Sequence, residues 1–397
     1  MGKQWAAGVV TALLLASGAH AQPDAGLAAR IAQYETLVRD TGDGGVLWLL
    51  AEAYAQAGRK DDALKALDQL ADRRMGFVPT PDSQLAKLTG DPTFEALARR
   101  MADEAPKVLT GRTAYTVRMP QLIPEGVAYD AERGRLFLGD AIHRRIVSVD
   151  RGGRSEPYGA PLAMPPLGMK VDAPRGRLLV ATTNAFWSTQ EKKAELVALD
   201  LRTRRPIGAW THPEAVSFND LDVAANGDVY VSDSEGGAVF RLRNGSMERL
   251  TAPGGLGYPN GVALSRDGRH LFVAQGVSLR RVDTTTGEVT RVANPPTFTT
   301  LGIDGLYRRG DDLIGVQNIG TPGRVVRMRL TPAMDRILEF EVLRSGDPAF
   351  DIPTTAALTG DRLLVLANAQ IDRLRPDGTI DTSKPLNPIR IVEIPLS

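Results

Sequence analysis

Glu125, Asn219, Asn260 and Asp304 each open a variant of the same phrase. PEGVAYDAERGRLFLGD starts at Pro124, FNDLDVAANGDVYVSDS at Phe218, PNGVALSRDGRHLFVAQ at Pro259 and GIDGLYRRGDDLIGVQN at Gly302. Asn219 and Asn260 lie 41 positions apart, Asn260 and Asp304 lie 44 apart, and Glu125 precedes Asn219 by 94, two periods of 47. Any one of these pairs is ordinary turn chemistry. Four oxygen-bearing side chains at one register call for a shared reason. Two carboxylates and two amide oxygens would balance one divalent cation, and a set without sulfur or imidazole favours a hard ion: Ca2+ first, then Mg2+ or Mn2+, with Zn2+ still open.

The elements that must position these residues are short β-runs. PLGMKVDAPRGRLLVATTN at Pro166 and IPTTAALTGDRLLVLAN at Ile352 bring the copies to six, each a strand, a glycine turn and a second strand, followed by one or two further β-runs. A period in the forties with about four strands per unit is the signature of a β-propeller blade, and six units fill the span from Thr113 to Ser397. A β-sandwich does not explain a two-strand phrase repeated at that period. The innermost strand of every blade lines the central channel, so Glu125, Gly168, Asn219, Asn260, Asp304 and Thr354 or Thr355 are expected to meet at its mouth. Ala114 to Met119, Ile389 to Ile394 or both are expected to close the last blade, because an open ring would expose a sheet edge.

The first part of the chain follows different rules. Residues 1–21 read as a secretory signal, with Lys3 as the positive flank, an apolar run from Trp5 to Ser17 and a small-x-small site at Ala19-His20-Ala21. Residues 22–105 carry helical periodicity. Leu47, Leu50, Ala51, Tyr54, Gly58, Ala63 and Leu67 fall at the offsets of one tetratricopeptide helix-turn-helix, which cannot bury its own face and must dock on neighbouring helices, on the second domain or on a protein partner. Phe77 to Pro81, with two prolines, breaks the helical run. Residues 106–397 form the propeller.

Composition narrows the function classes. With 48 basic and 47 acidic residues there is no long-range attraction for nucleic acid or anionic membrane. The chain has no cysteine, which excludes disulfides, thiolate-metal sites and cysteine nucleophiles. Export without cysteine suits a periplasmic or secreted protein. Beyond the signal only His143, His212 and His270 remain, and their spacing gives no support to a three-histidine zinc site.

The phrases PEGVAYD, FNDLDVAANGDVYVSD, PNGVALSRDG and GIDGL resemble the metal-bearing phrases of the regucalcin/gluconolactonase family, six-bladed propellers that hydrolyse sugar lactones and related esters with one divalent metal. The resemblance covers about residues 114–397. It implies Glu125, Asn260 and Asp304 as direct ligands, Asn219 beside the metal and substrate, and Asp304 as general base. Members that act on sugar lactones carry an arginine two positions before the Asn-Asp pair; here Ser217 stands there, which removes a bidentate donor for substrate hydroxyls. Asn184, Phe186 and Trp187 in the blade-two loop offer a more apolar lid, His212 stands in the loop before Asn219 as a candidate for proton transfer, and Asn219, Ser217 and His212 are the residues expected to line the substrate. The expectation is an exported metal-dependent hydrolase of a lactone or ester. The alternative is a non-catalytic, metal-stabilised propeller acting as a binding module through its helical repeat. On the hydrolase reading, removing residues 22–105 is expected to leave turnover largely intact.

Overall fold

The structure, a computed structural model, describes residues 23–81, 83–320, 323–383 and 385–396. The export signal read at residues 1–21 lies outside them.

Six antiparallel sheets form the blades of a β-propeller, preceded by a small region of four helices. The inner strands are Pro124–Asp130, Pro166–Asp172, Phe218–Val223, Pro259–Leu264, Ile303–Arg309 and Ala356–Thr359. Blades one to four run in chain order from the axis outwards. Blade six is completed by both chain segments expected there, with Ile389–Pro395 next to Arg362–Leu366 and Arg112–Val117 outermost. The seam pairs Arg112 with Glu393 and Val117 with Ile389. Blade five carries a fifth strand that the sequence did not announce. Val108–Leu109 pairs with Arg344 and Ser345 at the end of the outer strand Ile337–Ser345 and covers that end of its edge.

At the same point in blades one to five, the ladder between first and second strands slips. The breaks fall between Pro124 and Val127, Pro166 and Met169, Phe218 and Leu221, Pro259 and Val262, and Ile303 and Leu306. Such bulges re-aim side chains at the rim of a closed sheet. The bulged pairs are Glu125-Gly126, Leu167-Gly168, Asn219-Asp220, Asn260-Gly261 and Asp304-Gly305. The residue of blade two equivalent to Glu125 is therefore Leu167; the expectation of Gly168 is one residue out. Glycine follows the site residue because the next blade is too close for a side chain: a Cβ on Gly126 would lie 1.8 Å from the Leu167 carbonyl oxygen, and one on Gly261 2.2 Å from that of Asp304.

Deeper in the channel, polar side chains staple neighbouring inner strands. Asp220 Oδ2 accepts from the Val262 amide at 3.0 Å, and Asp222 Oδ2 accepts from that of Leu264 at 2.9 Å. Lys170 pairs with Asp222 at 2.9 Å. Gly305 N donates to the Thr354 carbonyl at 2.9 Å, and the Tyr307 hydroxyl meets Thr355 Oγ1 at 2.8 Å, which joins blade five to blade six. The amides of Val262, Leu264 and Gly305 thereby find partners on the neighbouring blade.

Helices α1 (Pro23–Thr41), α2 (Gly44–Gln56), α3 (Lys60–Arg73) and α4 (Pro92–Glu104) make up the N-terminal region. Asp43 caps α2, its Oδ1 accepting from Gly45 N at 2.8 Å and Val46 N at 3.3 Å. Helix α2 is buried nearly all round, as its run Val46-Leu47-Trp48-Leu49-Leu50-Ala51 requires. Among the described residues the four helices do not establish a tetratricopeptide repeat. The unpaired apolar face rests on the propeller: Leu301, Val277 and Ile319 share a cluster with Trp48, Phe77 and Leu67. Gly45 sits so close that a Cβ there would fall 2.3 Å from Thr299 Oγ1. The face available for docking is thus used within the chain, and no protein partner is needed to cover it.

Candidate active site

Glu125 and Asp304, the second residues of their inner strands, come together in blades one and five at the channel mouth. Both are pushed above the usual carboxylate range, Glu125 by burial and then by the charge of Asp304, and Asp304 by burial to about 6. Asn318 Nδ2 donates to Asp304 Oδ2 at 2.7 Å, and the Asn260 amide also lies against that carboxylate, both favouring its charged form. Glu125 is less well served. Its Oε2 is buried with no close hydrogen-bond partner, and the Thr354 hydroxyl of blade six, likewise without one, lies near enough to favour the charged form of Glu125 without offsetting its burial. The structure therefore brings Glu125, Asn260, Asp304 and Thr354 together.

Asn219 sits one step away. Its Nδ2 donates to Ser234 Oγ at 2.8 Å, and that hydroxyl donates to the Pro259 carbonyl at 2.7 Å, immediately before Asn260. Ser217 is fully buried, and its hydroxyl accepts from Glu235 N at 2.7 Å while donating to Asp233 Oδ1 at 3.1 Å. These bonds leave Ser217 no free donor for substrate and make it a buckle under the Ser234-Glu235 turn. His212 packs against Phe240 with ring centroids 5.0 Å apart and planes tilted by 52°, and its Nδ1 accepts from Glu214 N at 3.2 Å. Among the described residues no hydrogen bond joins His212 to Glu125 or Asp304.

Tyr258 was not signalled by the sequence. Its φ of +59° turns the chain just before Pro259, and burial together with the charges of Glu235, Asp304 and Glu125 keeps its hydroxyl protonated far above neutral pH. The blade-two loop forms a strap. Asn184 pins it by accepting from Lys193 N at 2.7 Å, Trp187 packs beside Ile123 and Leu374 in blades one and six, and Lys192 pairs with Glu235 in blade three. Beside Asn318 opens a pocket of about 370 Å³ lined by Pro353, Ile352, Phe350 and Pro348 and by two carboxylates, Asp347 and Asp351, the latter half-exposed and paired with Arg373 at 3.3 Å. Asp347 is neutralised by Arg344 at 2.6 Å.

The residues present fit a divalent cation. Two coupled buried carboxylates, one with an orphaned oxygen, and neighbouring amide and hydroxyl oxygens form a hard, all-oxygen donor set. Among the described residues no group of three or more His, Cys, Asp or Glu is arranged to hold a metal. The set here has two carboxylates only and relies on neutral oxygens to complete it.

Residues 123–307 match the family described as SMP-30/Gluconolactonase/LRE-like region, a stretch that contains Glu125, Asn219, Asn260 and Asp304. No curated protein matches the chain. Among solved structures, a catalytically inactive virginiamycin B lyase from Staphylococcus aureus with quinupristin is 16% identical at a TM-score of 0.51, covering 71% of this chain and 98% of that one. The PQQ-bound aldose sugar dehydrogenase of Streptomyces coelicolor is 14% identical at 0.50, covering 73% and 98%. A gluconolactonase from Xanthomonas campestris is 15% identical at 0.49, covering 73% and 98%. At these identities the likeness is one of fold.

Proposed function

We propose that the protein is an exported, divalent-metal-dependent hydrolase of a lactone or ester. The observation that carries this reading is the coupled pair Glu125 and Asp304 at the channel mouth, with an unpartnered buried oxygen, inside the segment that matches the SMP-30/Gluconolactonase/LRE-like region. Glu125, Asn260 and Asp304, with Asn219 beside them, would hold one cation, Ca2+ first, whose chemistry when bound is Lewis-acid polarisation of the ester carbonyl. Asp304, with its pKa near 6, is ionised at neutral pH and accepts the proton of the attacking water. The Tyr258 hydroxyl, held protonated among carboxylates, donates to the oxygen on which charge develops. The strap from Asn184 to Lys193 limits the access of bulk water.

The substrate's substituent enters the pocket beside Asn318, where Phe350, Ile352 and Pro348 provide apolar surface and the two carboxylates, Asp347 and Asp351, are each paired with an arginine. Ile352 adopts φ +56°, costly for a β-branched residue and of the kind retained where a site needs it. With Ser217 in place of an arginine, an uncharged, weakly hydroxylated ester or lactone is favoured over a sugar-acid lactone.

The test is metal content, followed by turnover of a panel of lactones and aryl esters by wild type and Asp304→Ala. The variant is expected to lose at least 100-fold in kcat. Bound metal with no turnover across the panel would sink the enzyme reading in favour of a metal-stabilised binding module, and a fully active variant would remove Asp304 from the catalytic machinery.

A further inference from the structure

The geometry points to Asn318 as the positioning residue for Asp304, and to the helical region as what holds Asn318 in place. Asn318 closes the second strand of blade five, where its type reads as a turn residue. Its amide nitrogen donates to Asp304 Oδ2 at 2.7 Å and to the Pro353 carbonyl at 3.1 Å, so the carboxylate is tied to the start of blade six.

The residues flanking Asn318 are gripped by the helices. On one side, Gln317 Oε1 accepts from Arg324 Nε at 2.7 Å, and Arg324 Nη1 donates to the Met75 carbonyl at 2.8 Å. Arg324 is fully buried, is held by neutral acceptors and is lowered by desolvation to about 10, a costly bridge to keep between two regions that merely touch. On the other side, Ile319 packs into the α2 cluster, and the Gly320 carbonyl accepts from Val78 N at 3.1 Å. A Cβ on Gly320 would fall 2.7 Å from the Phe77 ring and 3.3 Å from Trp48 Nε1, and those two rings stack at 4.8 Å. The strand bearing Asp304 is held in the same way, since Leu301 belongs to the helical cluster and Gln317 Nε2 donates to the Leu301 carbonyl at 2.7 Å. Both ends of the Asp304–Asn318 bond thus rest on the helices, which makes the helical region part of the site and reverses the expectation that it is dispensable for turnover.

The inference rests on the hydrolase reading for its kinetic readout but not for its calcium readout. In the full-length protein, Asn318→Ala is expected to lower kcat 10- to 100-fold with KM within about 2-fold, and to weaken calcium binding, measured by calorimetry with calcium chloride, by about 10-fold, as removal of a group orienting a ligand does. Gly320→Ala, or Phe77→Leu if that chain does not fold, is expected to give smaller losses of the same sign. Combining either with Asn318→Ala should cost nothing beyond Asn318→Ala alone, because they act through one bond. Strictly additive losses, or unchanged calcium affinity in Asn318→Ala, overturn the proposal. Weakened calcium binding with no turnover in any chain supports the positioning role and sinks the hydrolase reading. A wild type that binds no calcium overturns both.

Discussion

Glu125 shows how a site residue works against its own fold. A buried carboxylate with an unpartnered oxygen, facing a second carboxylate, costs stability until a cation arrives. Glu125→Gln removes the ionisable group, and with it any charge facing Asp304, at nearly constant volume. The metal-free protein is expected to gain about 1–3 kcal/mol, read as a higher melting temperature in a chelator, and to lose most of the stabilisation that calcium gives wild type. A variant that melts lower in the chelator would show that the orphaned oxygen has a partner in solution. The types and spacing of Glu125, Asn260 and Asp304 were legible in the sequence because each heads a repeated phrase. Tyr258 and Asn318 were not, since a tyrosine in a loop and an asparagine after a strand acquire meaning only when the ring folds them against residues from other blades. Ser217 was legible as a departure, although its hydroxyl bonds were not.

The blades were readable as elements because alternating apolar runs and glycine turns recur at a nearly fixed period, and the seam followed from the need to leave no edge. The slip at Gly168 has a physical origin. In three other blades glycine follows the site residue to let the next strand approach, so glycine, not the position before it, marks the register. Gly126→Ala is accordingly expected to destabilise the protein by about 3 kcal/mol or more, since the 1.8 Å approach is to backbone that cannot move aside; a denaturant midpoint within error of wild type would contradict the close approach.

In helix α2, Glu52 is pushed up to about 7 by burial, with only the Gln84 amide opposing. A raised folded value means its stabilising protonated form is fully present below about 4.5 and is lost as pH rises through about 7. Glu52→Gln should therefore leave the melting temperature unchanged near pH 5 and raise it near pH 8, by the equivalent of up to about 3 kcal/mol. An equal effect at both values would place the Glu52 carboxyl in water.

At the scale of the molecule, helices and propeller form one packed unit. A chain beginning at residue 106 would expose Val277, Leu301 and Ile319 and strip Arg324 of the Met75 carbonyl. Such a chain is expected to aggregate or to lose turnover, seen by size-exclusion chromatography alongside kcat; a monomeric, fully active fragment would show the interface to be incidental. Composition alone gave no hint of this, because an amphipathic helix pair reads the same whether it docks on its own chain or on another protein.

The seam between Arg112–Val117 and Ile389–Pro395 orders events in time as well as in space. The strand of blade six that is synthesised first waits for the one synthesised last, so the ring cannot close until the whole chain is available. Contacts this distant in sequence make closure the slow part of folding. Until then Arg112–Val117 is an unpaired edge carrying the helical region with it. Truncation before Ile389 leaves that edge permanently open, and the chain is then a template for its own aggregation.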